Sequence, residues 1–561
     1  MKIKQLYNKN EIINLKTYLE KCGVKDVEEF LNPVGKYLDK FSDYYNMNKA
    51  VEMFKNHIGD NTYILCDDDV DGITSTIILG YYMKRINPNW KIKVLVHEGK
   101  ERGLQDDVIF NGIINDITFN AKFLIIPDGG TNDKEQSNAL NMDILVLDHH
   151  TISTPITNGI LVNNQDERNN NVSIKGSGCL VTHKFLQALD NKYDVNYSAD
   201  YIDLVALSLI SDVMDMSDEQ NRTYYHYGIE TFDCINNKFL KALFEKFIGD
   251  KSYTQRDIAF KIVPKLNAIC RSKDKEIKYI ILNAFLGHEI DKALNICATA
   301  HADQISTVNK IIDNHIDEIN MLSNNNIVIF SCEDMPKSYS GLIAGKIMDI
   351  SGGKPTLVGK IINNEFVGSL RSPIPLQSEL NDNGLVEWAR GHEQSCGVLI
   401  KQENLQPLID YYNSIKLSYE PCIEVLRSYS IQDIPYNLFD LFEANTDVLW
   451  GNNIPKPIFE LHDIIFTPND LQILGKNHRT IKLISNDISY LFFNITNKDR
   501  ERLYIDNEEK KDTKLNLSII GTPSINIYTT PYGKTYVNKQ IIVNKFHVKK
   551  YILRIRENVF K

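Results

Sequence analysis

Short apolar runs of strand length recur in the N-terminal part of the chain, with helical patterns between them. The runs cover residues 63–66, 91–96, 123–126 and 144–147. A helix is predicted over residues 74–84, directly after the first run and its polar tail. Apolar strands that alternate with helices are typical of βαβ units, so we expect an α/β domain with a parallel sheet.

Polar clusters follow three of these strands at the point where each strand ends. They occupy residues 67–72, 127–130 and 148–150, and Asp212 follows an apolar helical stretch over 202–209. Ligands of open α/β sheets bind at the carboxyl ends of the strands. We therefore expect these clusters to converge at one edge of the sheet.

The first cluster is rich in carboxylates. Asp67, Asp69 and Asp71 alternate along the chain, and in an extended backbone they would share one face. Three close carboxylates repel one another unless a cation lies between them, and oxygen ligands suit Mg²⁺ or Mn²⁺. A histidine ligand from His149 or His150 would favour Mn²⁺. The four clusters together offer enough ligands for two metal ions about 4 Å apart, as in phosphoryl hydrolysis.

The rest of the chain predicts further domains. Residues 1–60 have apolar positions at helical spacing, and 230–320 are mostly helical. Short strands return over 326–400 around a helix near 342–350, which indicates a second, smaller α/β domain. After about residue 430, short strands and Asn, Gly and Pro turns predict an all-β barrel or sandwich. A length of 561 residues fits three or four domains.

Composition narrows the class of protein. The chain is 43% hydrophobic and 24% charged, which is typical of a globular protein and excludes a disordered chain or a collagen-like repeat. No apolar run approaches the length of a membrane span, and the N-terminus has no apolar signal core. The nine cysteines form no C-x-x-C pair, which favours reduced thiols in a cytoplasm.

Charge is unevenly distributed along the chain. The net charge is −10, yet residues 476–561 contain 17 Lys and Arg against 8 Asp and Glu. This charge distribution is typical of a polyanion-binding module attached to a carboxylate-rich site. Ordinary variation in surface charge would produce the same distribution. Aromatic residues lie among these basic ones, and single-stranded bases stack on such rings. They are Tyr490, Phe492, Phe493, Tyr504, Tyr528, Tyr532 and Tyr536, of which we expect Phe492 and Phe493 to be core.

The order and spacing of the four clusters resemble the DHH phosphoesterase superfamily, and the wider pattern resembles its RecJ-like single-stranded-DNA-specific exonucleases. The motifs of the superfamily correspond to residues 67–75, 127–132, 147–151 and 210–212. Further RecJ-like stretches are 101–104, 176–178, 264–268, 341–344, 368–372, 391–397 and 450–453. The resemblance covers roughly residues 20–550.

This resemblance implies an organisation in five parts. They are a helical lead-in (1–55), a parallel-sheet DHH domain (56–228), a helical connector (229–320), a smaller α/β DHH-associated domain (321–425) and an all-β OB-like nucleic-acid-binding barrel (430–561). It also implies a 5′→3′ exonuclease that releases 5′-mononucleotides in DNA repair, recombination or replication.

The resemblance further implies roles for individual residues. Two Mn²⁺ or Mg²⁺ ions are expected on Asp67, Asp69, Asp71, Asp128, His149 and Asp212. Catalytic roles are expected for Asp128, Asp148, His149 and His150. Contacts to the substrate are expected from Arg371, Ser372, Gly391, His392, Arg271, Tyr528 and Tyr536. The implied partner is single-stranded DNA, with a helicase or single-strand-binding protein as a further partner of a monomeric protein in the cytoplasm, that of the host if the protein is viral.

Three residues depart from the pattern of the family. Leu65 stands where a histidine is usual, which removes one residue from the expected metal shell. Asp68 replaces an aromatic residue, and Arg390 replaces the first glycine of a glycine-glycine-histidine signature, which predicts a less tightly turned backbone.

Two other functions share the same motifs. One is a DHH phosphodiesterase acting on short oligonucleotides or cyclic dinucleotides, against which the C-terminal segment argues. The other is a non-catalytic replication scaffold, against which the intact acidic and histidine positions argue.

Overall fold

The computed structural model describes residues 2–98, 103–249, 253–415, 422–435, 439, 447–475, 478–529 and 533–550. The chain forms two compact units. One is Glu28–Tyr419, and the other combines Met1–Val27 with Glu420–Lys561. Within the described ranges, no helix combines the length and the apolar character needed to cross a bilayer.

The larger unit begins with a five-stranded, wholly parallel sheet. Its strands are β2 (Thr62–Cys66), β3 (Ile92–Val96), β4 (Phe123–Pro127), β5 (Asp143–Asp148) and β6 (Ile160–Asn163), in the order β3-β2-β4-β5-β6. The associated helices are α2 (Val27–Leu31), α3 (Met47–Asn56), α4 (Val70–Ile86), α5 (Asp107–Asn115), α6 (Lys134–Ala139), α7 (Gly178–Tyr193), α8 (Ile202–Ser211) and α9 (Glu219–Gly228). The parallel sheet expected from the apolar runs is therefore confirmed, with β6 as an additional strand.

Alternate residues of the strands serve two cores, because side chains along a strand point to opposite faces. Ile64 and Cys66 pack with helices such as α4, α7 and α8 on one face. Tyr63 and Leu65 pack with Ile109 of α5 on the other face. With helices on both faces, the carboxyl edge of the sheet remains as the place for a site.

A helical region follows, in agreement with the expectation for residues 230–320. Its helices are α10 (Lys238–Phe247), α11 (Gln255–Asp257), α12 (Val263–Cys270), α13 (Lys275–Phe285), α14 (Ile290–Asn314) and α15 (Ile316–Leu322). A π-helical turn, Ile258–Ile262, joins α11 to α12.

The second sheet of this unit is mixed. Its order is β10-β11-β9-β8-β7, and only β7 and β8 are parallel neighbours. Its strands are β7 (Val328–Ser331), β8 (Thr356–Ile362), β9 (Glu365–Arg371), β10 (Trp388–His392) and β11 (Ser395–Lys401). Its helices are α16 (Ser340–Ile350), α17 (Gln377–Asp382) and α18 (Leu405–Ser414).

The smaller unit contains both ends of the chain. The N-terminal strand β1 (Lys2–Gln5) pairs in parallel with β12 (Cys422–Val425), and α1 (Leu15–Lys21) follows it. The sequence pattern predicted only helices here, because the pairing partner of β1 lies some four hundred residues away and leaves no local signal. Tyr18 of α1 donates a hydrogen bond to the Pro455 carbonyl at 2.8 Å, which ties the N-terminus to the same unit.

The remaining strands of the smaller unit form one seven-stranded sheet. They are β13 (Ser428–Ser430), β14 (Phe459–Phe466), β15 (Leu471–Leu474), β16 (Thr480–Ser485), β17 (Ile488–Phe492), β18 (Leu515–Thr529) and β19 (Thr535–Lys550), with α19 (Asn497–Arg502) between β17 and β18. The order β13-β14-β18-β19-β17-β16-β15 leaves β13 and β15 at the edges of the described sheet. The predicted strand-rich character is confirmed, α19 is a helix that the pattern did not predict, and closure into a barrel stays a prediction.

Candidate metal centre and nucleic-acid cleft

The first acidic cluster forms the junction between β2 and α4. Asp67 directly follows β2, and Asp69 caps α4 by accepting a hydrogen bond from the Gly72 N–H at 3.1 Å. Because this cap starts the helix at Val70, Asp71 lies in the first helical turn. The expected extended run with three carboxylates on one face is therefore wrong, and Asp71 belongs to a different group of ligands from Asp67 and Asp69.

Asp71 is held by the N-terminus of α7. Its two carboxylate oxygens accept hydrogen bonds from the N–H groups of Gly178 at 2.8 Å and Cys179 at 2.9 Å. Burial and the charge of Asp69 raise the pKa of Asp71 to about 7, although these two N–H donors oppose the rise. The helix N-terminus thus fixes the position of a carboxylate that burial alone would neutralise.

Asp128 follows β4 with its backbone in the left-handed region, at φ 62°. Its N–H donates to the Leu147 carbonyl at 2.8 Å, which fixes it at the edge of β5. Its side chain is only 1% exposed, and its Oδ1 receives no hydrogen bond from any described residue. Burial, with the charges of Asp71 and Asp69, raises the pKa of Asp128 well above its usual range. This carboxylate therefore requires a proton or a cation.

His149 follows β5 and points its Nε2 atom at the carboxylates. Its Nδ1 lies 3.1 Å from the Gly176 carbonyl, which can only accept, so Nδ1 carries the proton and Nε2 is an acceptor. The Nε2 atom lies 3.3 Å from Asp128 Oδ1, 3.5 Å from Asp212 Oδ2 and 3.8 Å from Asp71 Oδ2. Burial and the neighbouring His150 lower the pKa of His149 to about 4.

Asp148 orients His150. The Nδ1 atom of His150 lies 2.8 Å from Asp148 Oδ1, and the N–H groups of Thr131 and His149 also donate to this carboxylate. Although burial works in the opposite direction, the charge and hydrogen bond of His150 hold the pKa of Asp148 below its usual range. The ring of the half-exposed His150 is therefore held in a fixed orientation through its Nδ1 side.

The residues of this centre fit divalent cations. Ligand atoms lie within 4.8 Å of one another in each of three groups, and Asp128 and His149 each belong to two of the three. The groups are Asp67, Asp69 and Asp128; Asp71, His149 and Asp212; and Asp128, Asp148, His149 and His150. Two buried acceptors, Asp128 Oδ1 and His149 Nε2, face each other at 3.3 Å, an arrangement that a cation between them would stabilise. The expected Mn²⁺ or Mg²⁺ chemistry is thus matched by the donor set.

Several supporting residues were missed from sequence. Gly178 is one, because a Cβ at this position would lie 2.6 Å from the Cβ of Asp128. Asn163, at the end of β6, donates to Thr131 Oγ1 at 3.0 Å and to the His150 carbonyl at 2.9 Å. The stretch 176–178 was noted as RecJ-like, but its contacts to the centre become visible only when α7 is placed beside β4.

The unusual Asp68 points away from the ligands into a buried ion pair. Its Oδ1 lies 2.9 Å from the Nζ of Lys278 on α13, and Lys278 also donates to the His97 carbonyl at 2.9 Å. Burial raises the pKa of Asp68 to about 8, and Lys278 opposes the rise. No sequence signal linked these two residues, which are 210 positions apart.

The predicted phosphate-binding arginines lie together in the larger unit. Arg371 ends β9, its Nη1 donates to the Leu370 carbonyl at 2.7 Å, and its guanidinium packs on Gly341. Burial, together with the charge of Arg271, lowers the pKa of Arg371, so the Arg271 guanidinium lies near enough to act on Arg371. The adjacent Ser372 is buried and donates to the Ile374 carbonyl at 2.7 Å.

Gly391 and His392 lie on β10, where the backbone of His392 pairs with Ser395. The side chain of His392 lies outside the described part of the chain, as do Glu101 and Arg102 of the RecJ-like stretch 101–104. Arg390 occupies a regular strand position, and the positive φ of 134° falls on Gly391 instead. The glycine missing from the signature is therefore not the one that the turn requires.

The predicted base-stacking residues lie in the smaller unit. The backbones of Tyr528 and Tyr536 pair across β18 and β19, and Tyr536 is 43% exposed, whereas the side chain of Tyr528 lies outside the described part of the chain. Phe492 is buried, as the sequence predicts. Tyr490 is also buried, although it is among the predicted base-stacking residues, and Phe493 is exposed, so the prediction that it belongs to the core is wrong. Tyr532 lies outside the described residues.

A cleft of about 400 Å³ opens beside the metal centre. Its lining includes Asp67, Asp128, Asp148 and His150, with Arg390 from the second sheet. A cleft of this size beside fixed carboxylates can admit the end of a polyanion only where cations offset the negative charge.

Comparisons with known proteins identify a family match and two curated relatives. Residues 61–209 match the DHH family, N-terminal domain. Two curated relatives are each 27% identical over 567 residues, covering 92% of this chain and 93% of their own length. One is named as an SPbeta prophage-derived single-strand DNA-specific exonuclease, YorK, of Bacillus subtilis (strain 168), and the other as a single-strand DNA-specific exonuclease of Bacillus phage SPbeta.

Solved structures share the fold. RecJ from Thermus thermophilus in complex with Mn²⁺ matches with a TM-score of 0.74 and 17% identity, covering 98% of this chain and 80% of that one. The Mg²⁺ complex of RecJ from the same organism matches with a TM-score of 0.68 and 15% identity, covering 98% and 78%. The resemblance inferred from the motifs and the fold class are confirmed.

Proposed function

We propose that this chain, a relative of the RecJ-like exonucleases with a DHH domain over residues 61–209, is a metal-dependent exonuclease that hydrolyses single-stranded DNA. The observation that carries the proposal is the meeting of Asp128 Oδ1 and His149 Nε2, two buried acceptors 3.3 Å apart in the middle of a carboxylate cluster. Such a centre serves phosphodiester hydrolysis, and the relatives named as single-strand DNA-specific exonucleases support the substrate.

The chain would hold two Mn²⁺ or Mg²⁺ ions on Asp67, Asp69, Asp71, Asp128, His149 and Asp212. A bound divalent cation supplies Lewis-acid stabilisation of the negative charge that develops on a phosphodiester during hydrolysis. Asp128 lies in two of the three ligand groups, which supports it as the shared ligand. His150, whose Nδ1 side is held by Asp148, would donate a hydrogen bond from Nε2 to a phosphate oxygen of the strand when both ring nitrogens carry a proton.

The direction of hydrolysis is the next part of the proposal. Arg371 and Arg271, whose charge acts on Arg371, would bind the 5′-phosphate end with help from Ser372, Gly391 and His392. Recognition of that end by the larger unit would give 5′→3′ cleavage and release of 5′-mononucleotides. Tyr528 and Tyr536 of the smaller unit would stack on bases farther along the strand.

The cellular setting follows from the substrate. We propose that the protein acts as a monomer in the cytoplasm, that of the host if it is viral, in DNA repair, recombination or replication. A helicase or single-strand-binding protein would supply the unwound strand. The five-part domain organisation inferred from the motifs remains part of this proposal.

One assay tests the function. Strands labelled at the 5′ or the 3′ end, a duplex, a linear dinucleotide and a cyclic dinucleotide are incubated with Mn²⁺ or EDTA. We expect labelled mononucleotide first from the 5′-labelled single strand, no release in EDTA, and none from Asp128→Ala in Mn²⁺. The control is Asp107→Ala, which removes an exposed carboxylate from α5. Cleavage of the dinucleotides alone would favour a short-oligonucleotide phosphodiesterase, and normal turnover by Asp128→Ala would contradict the metal centre.

A further inference from the structure

Arg390 projects from the face of the second sheet that is opposite to the core of that sheet. Its neighbour Ala389 is 2% exposed and belongs to the core, together with Val398 of the paired strand β11. Because alternate residues of a strand point to opposite faces, Trp388 and Arg390 share the other face. The centre of the Arg390 guanidinium lies 5.2 Å from the centroid of the Trp388 ring, which restricts the position of the long side chain.

This face contributes to the cleft beside the metal centre. The cleft lining contains the carboxylates of Asp67, Asp128, Asp133 and Asp148, and Arg390 is the single lysine or arginine among the described residues that line it. No described carboxylate lies within ion-pair distance of its guanidinium. The guanidinium is therefore available to a ligand in a cleft that is otherwise acidic.

We infer that Arg390 binds a phosphate of the DNA strand next to the phosphodiester that is cleaved, and so sets the affinity of this cleft for strands longer than a dinucleotide. The inference rests on the proposed function. A guanidinium matches two phosphate oxygens with its paired N–H groups, which an acidic cleft otherwise lacks. The residue stands where the RecJ-like signature has glycine, so the signature itself does not supply this guanidinium.

The inference separates two roles that a cation in this cleft can have. If Arg390 binds the neighbouring phosphate, its loss affects only substrates that possess that phosphate. If Arg390 merely offsets the charge of the carboxylates, its loss affects every substrate equally, including a dinucleotide with a single phosphodiester.

The test compares Arg390→Gly, Arg390→Gln and Arg390→Lys with the whole wild-type protein. For a single-stranded oligonucleotide, we expect KM to rise about tenfold in the glycine and glutamine variants, with kcat within twofold of wild type. The slope of log KM against log salt concentration should decrease by about 0.7, the value for one phosphate contact on a single strand. The lysine variant should keep part of the affinity, because it retains the charge without the paired donors. Lys401→Gln, which removes one exposed charge from β11, should change nothing.

Two further measurements make the outcome decisive. Wild type and Arg390→Gly should cleave a dinucleotide equally well. Replacing the phosphate next to the cleaved bond with a neutral methylphosphonate should raise KM for wild type but not for Arg390→Gly. Fluorescence anisotropy of a labelled oligonucleotide with phosphorothioate linkages, measured in Mn²⁺, reports the same contact with cations on the carboxylates and without rapid hydrolysis. An unchanged dissociation constant and salt slope in Arg390→Gly and Arg390→Gln would overturn the inference, as would an equal loss of activity on the dinucleotide. Failure of wild type to hydrolyse any strand would instead refute the proposed function, with anisotropy still reporting on Arg390.

Discussion

A methyl group added at Gly178 tests how closely the metal centre is packed. Gly178 is the first residue of α7, where its N–H donates to Asp71. Alanine keeps this N–H and is ordinarily better than glycine in a helix by about 1 kcal/mol. Here, however, the new Cβ would lie 2.6 Å from the Cβ of Asp128 and 2.7 Å from its Cγ. Gly178→Ala therefore tests the contact with Asp128 while keeping the N–H group that donates to Asp71.

The size of the effect follows from these distances. Carbon atoms in contact are about 3.5–4.0 Å apart, so Asp128 or α7 must shift by about 1 Å. A displacement of about 1 Å in a reacting group costs about a hundredfold in rate. We expect kcat/KM to fall by about that factor and the Mn²⁺ concentration for half-maximal activity to rise. Overpacking costs about 1–3 kcal/mol, which the gain in helix propensity offsets in part, so the variant should remain folded.

The assay measures kcat/KM on a single-stranded oligonucleotide across a Mn²⁺ series, together with the thermal midpoint in EDTA. The matched control is Gly345→Ala in α16, where an added Cβ meets nothing within 4 Å. That variant should keep wild-type activity and gain up to about 1 kcal/mol in stability. Wild-type activity and Mn²⁺ dependence in Gly178→Ala would refute the close packing of α7 on Asp128.

Three other perturbations separate the remaining parts of the molecule. Wild type should cleave a 5′-phosphorylated strand several times faster than a 5′-hydroxyl strand, and Arg371→Ala should lose this preference. Equal rates for wild type on the two strands would show that Arg371 does not bind the 5′-phosphate. Lys278→Met should lower the thermal midpoint because it leaves the Asp68 carboxyl buried without its partner, and adding Asp68→Leu should restore it; a double variant no better than the single one would argue against the pair. A fragment spanning residues 28–415 should still cleave very short oligonucleotides but should bind long strands at least tenfold more weakly and with a smaller salt dependence, measured by anisotropy; unchanged binding would show that the smaller unit does not hold the strand.

The positions of the main ligands could be predicted from sequence because a parallel sheet brings the ends of its strands to one edge. Asp128 and His149 directly follow buried apolar runs, so local pattern and topology together placed them. The error at Asp71 has a local cause. The Asp69 cap begins α4 earlier than the apolar pattern indicated, and one helical turn sends Asp71 toward α7 instead of toward Asp67.

Contacts that depend on tertiary packing could not be predicted, because they leave no local pattern in the sequence. The Gly176 carbonyl that fixes the proton of His149 is a backbone atom, so residue type carries no information about it. Lys278 pairs with Asp68 across 210 positions, and β1 finds its partner at the far end of the chain. Arg390 was visible as a departure from the signature, but its place in the cleft depends on how the second sheet packs within the larger unit.

The charge distribution suits two requirements that conflict at a single site. Carboxylates dense enough to hold two divalent cations also repel the polyanion that those cations are to hydrolyse. In the cleft, the described lining offers one arginine to offset this repulsion. In the smaller unit, β19 carries four lysines and no acidic residue beside the uncharged β18. Different residues therefore provide the salt-dependent affinity and the metal-dependent hydrolysis. A mutation can weaken one of these properties while the other is measured.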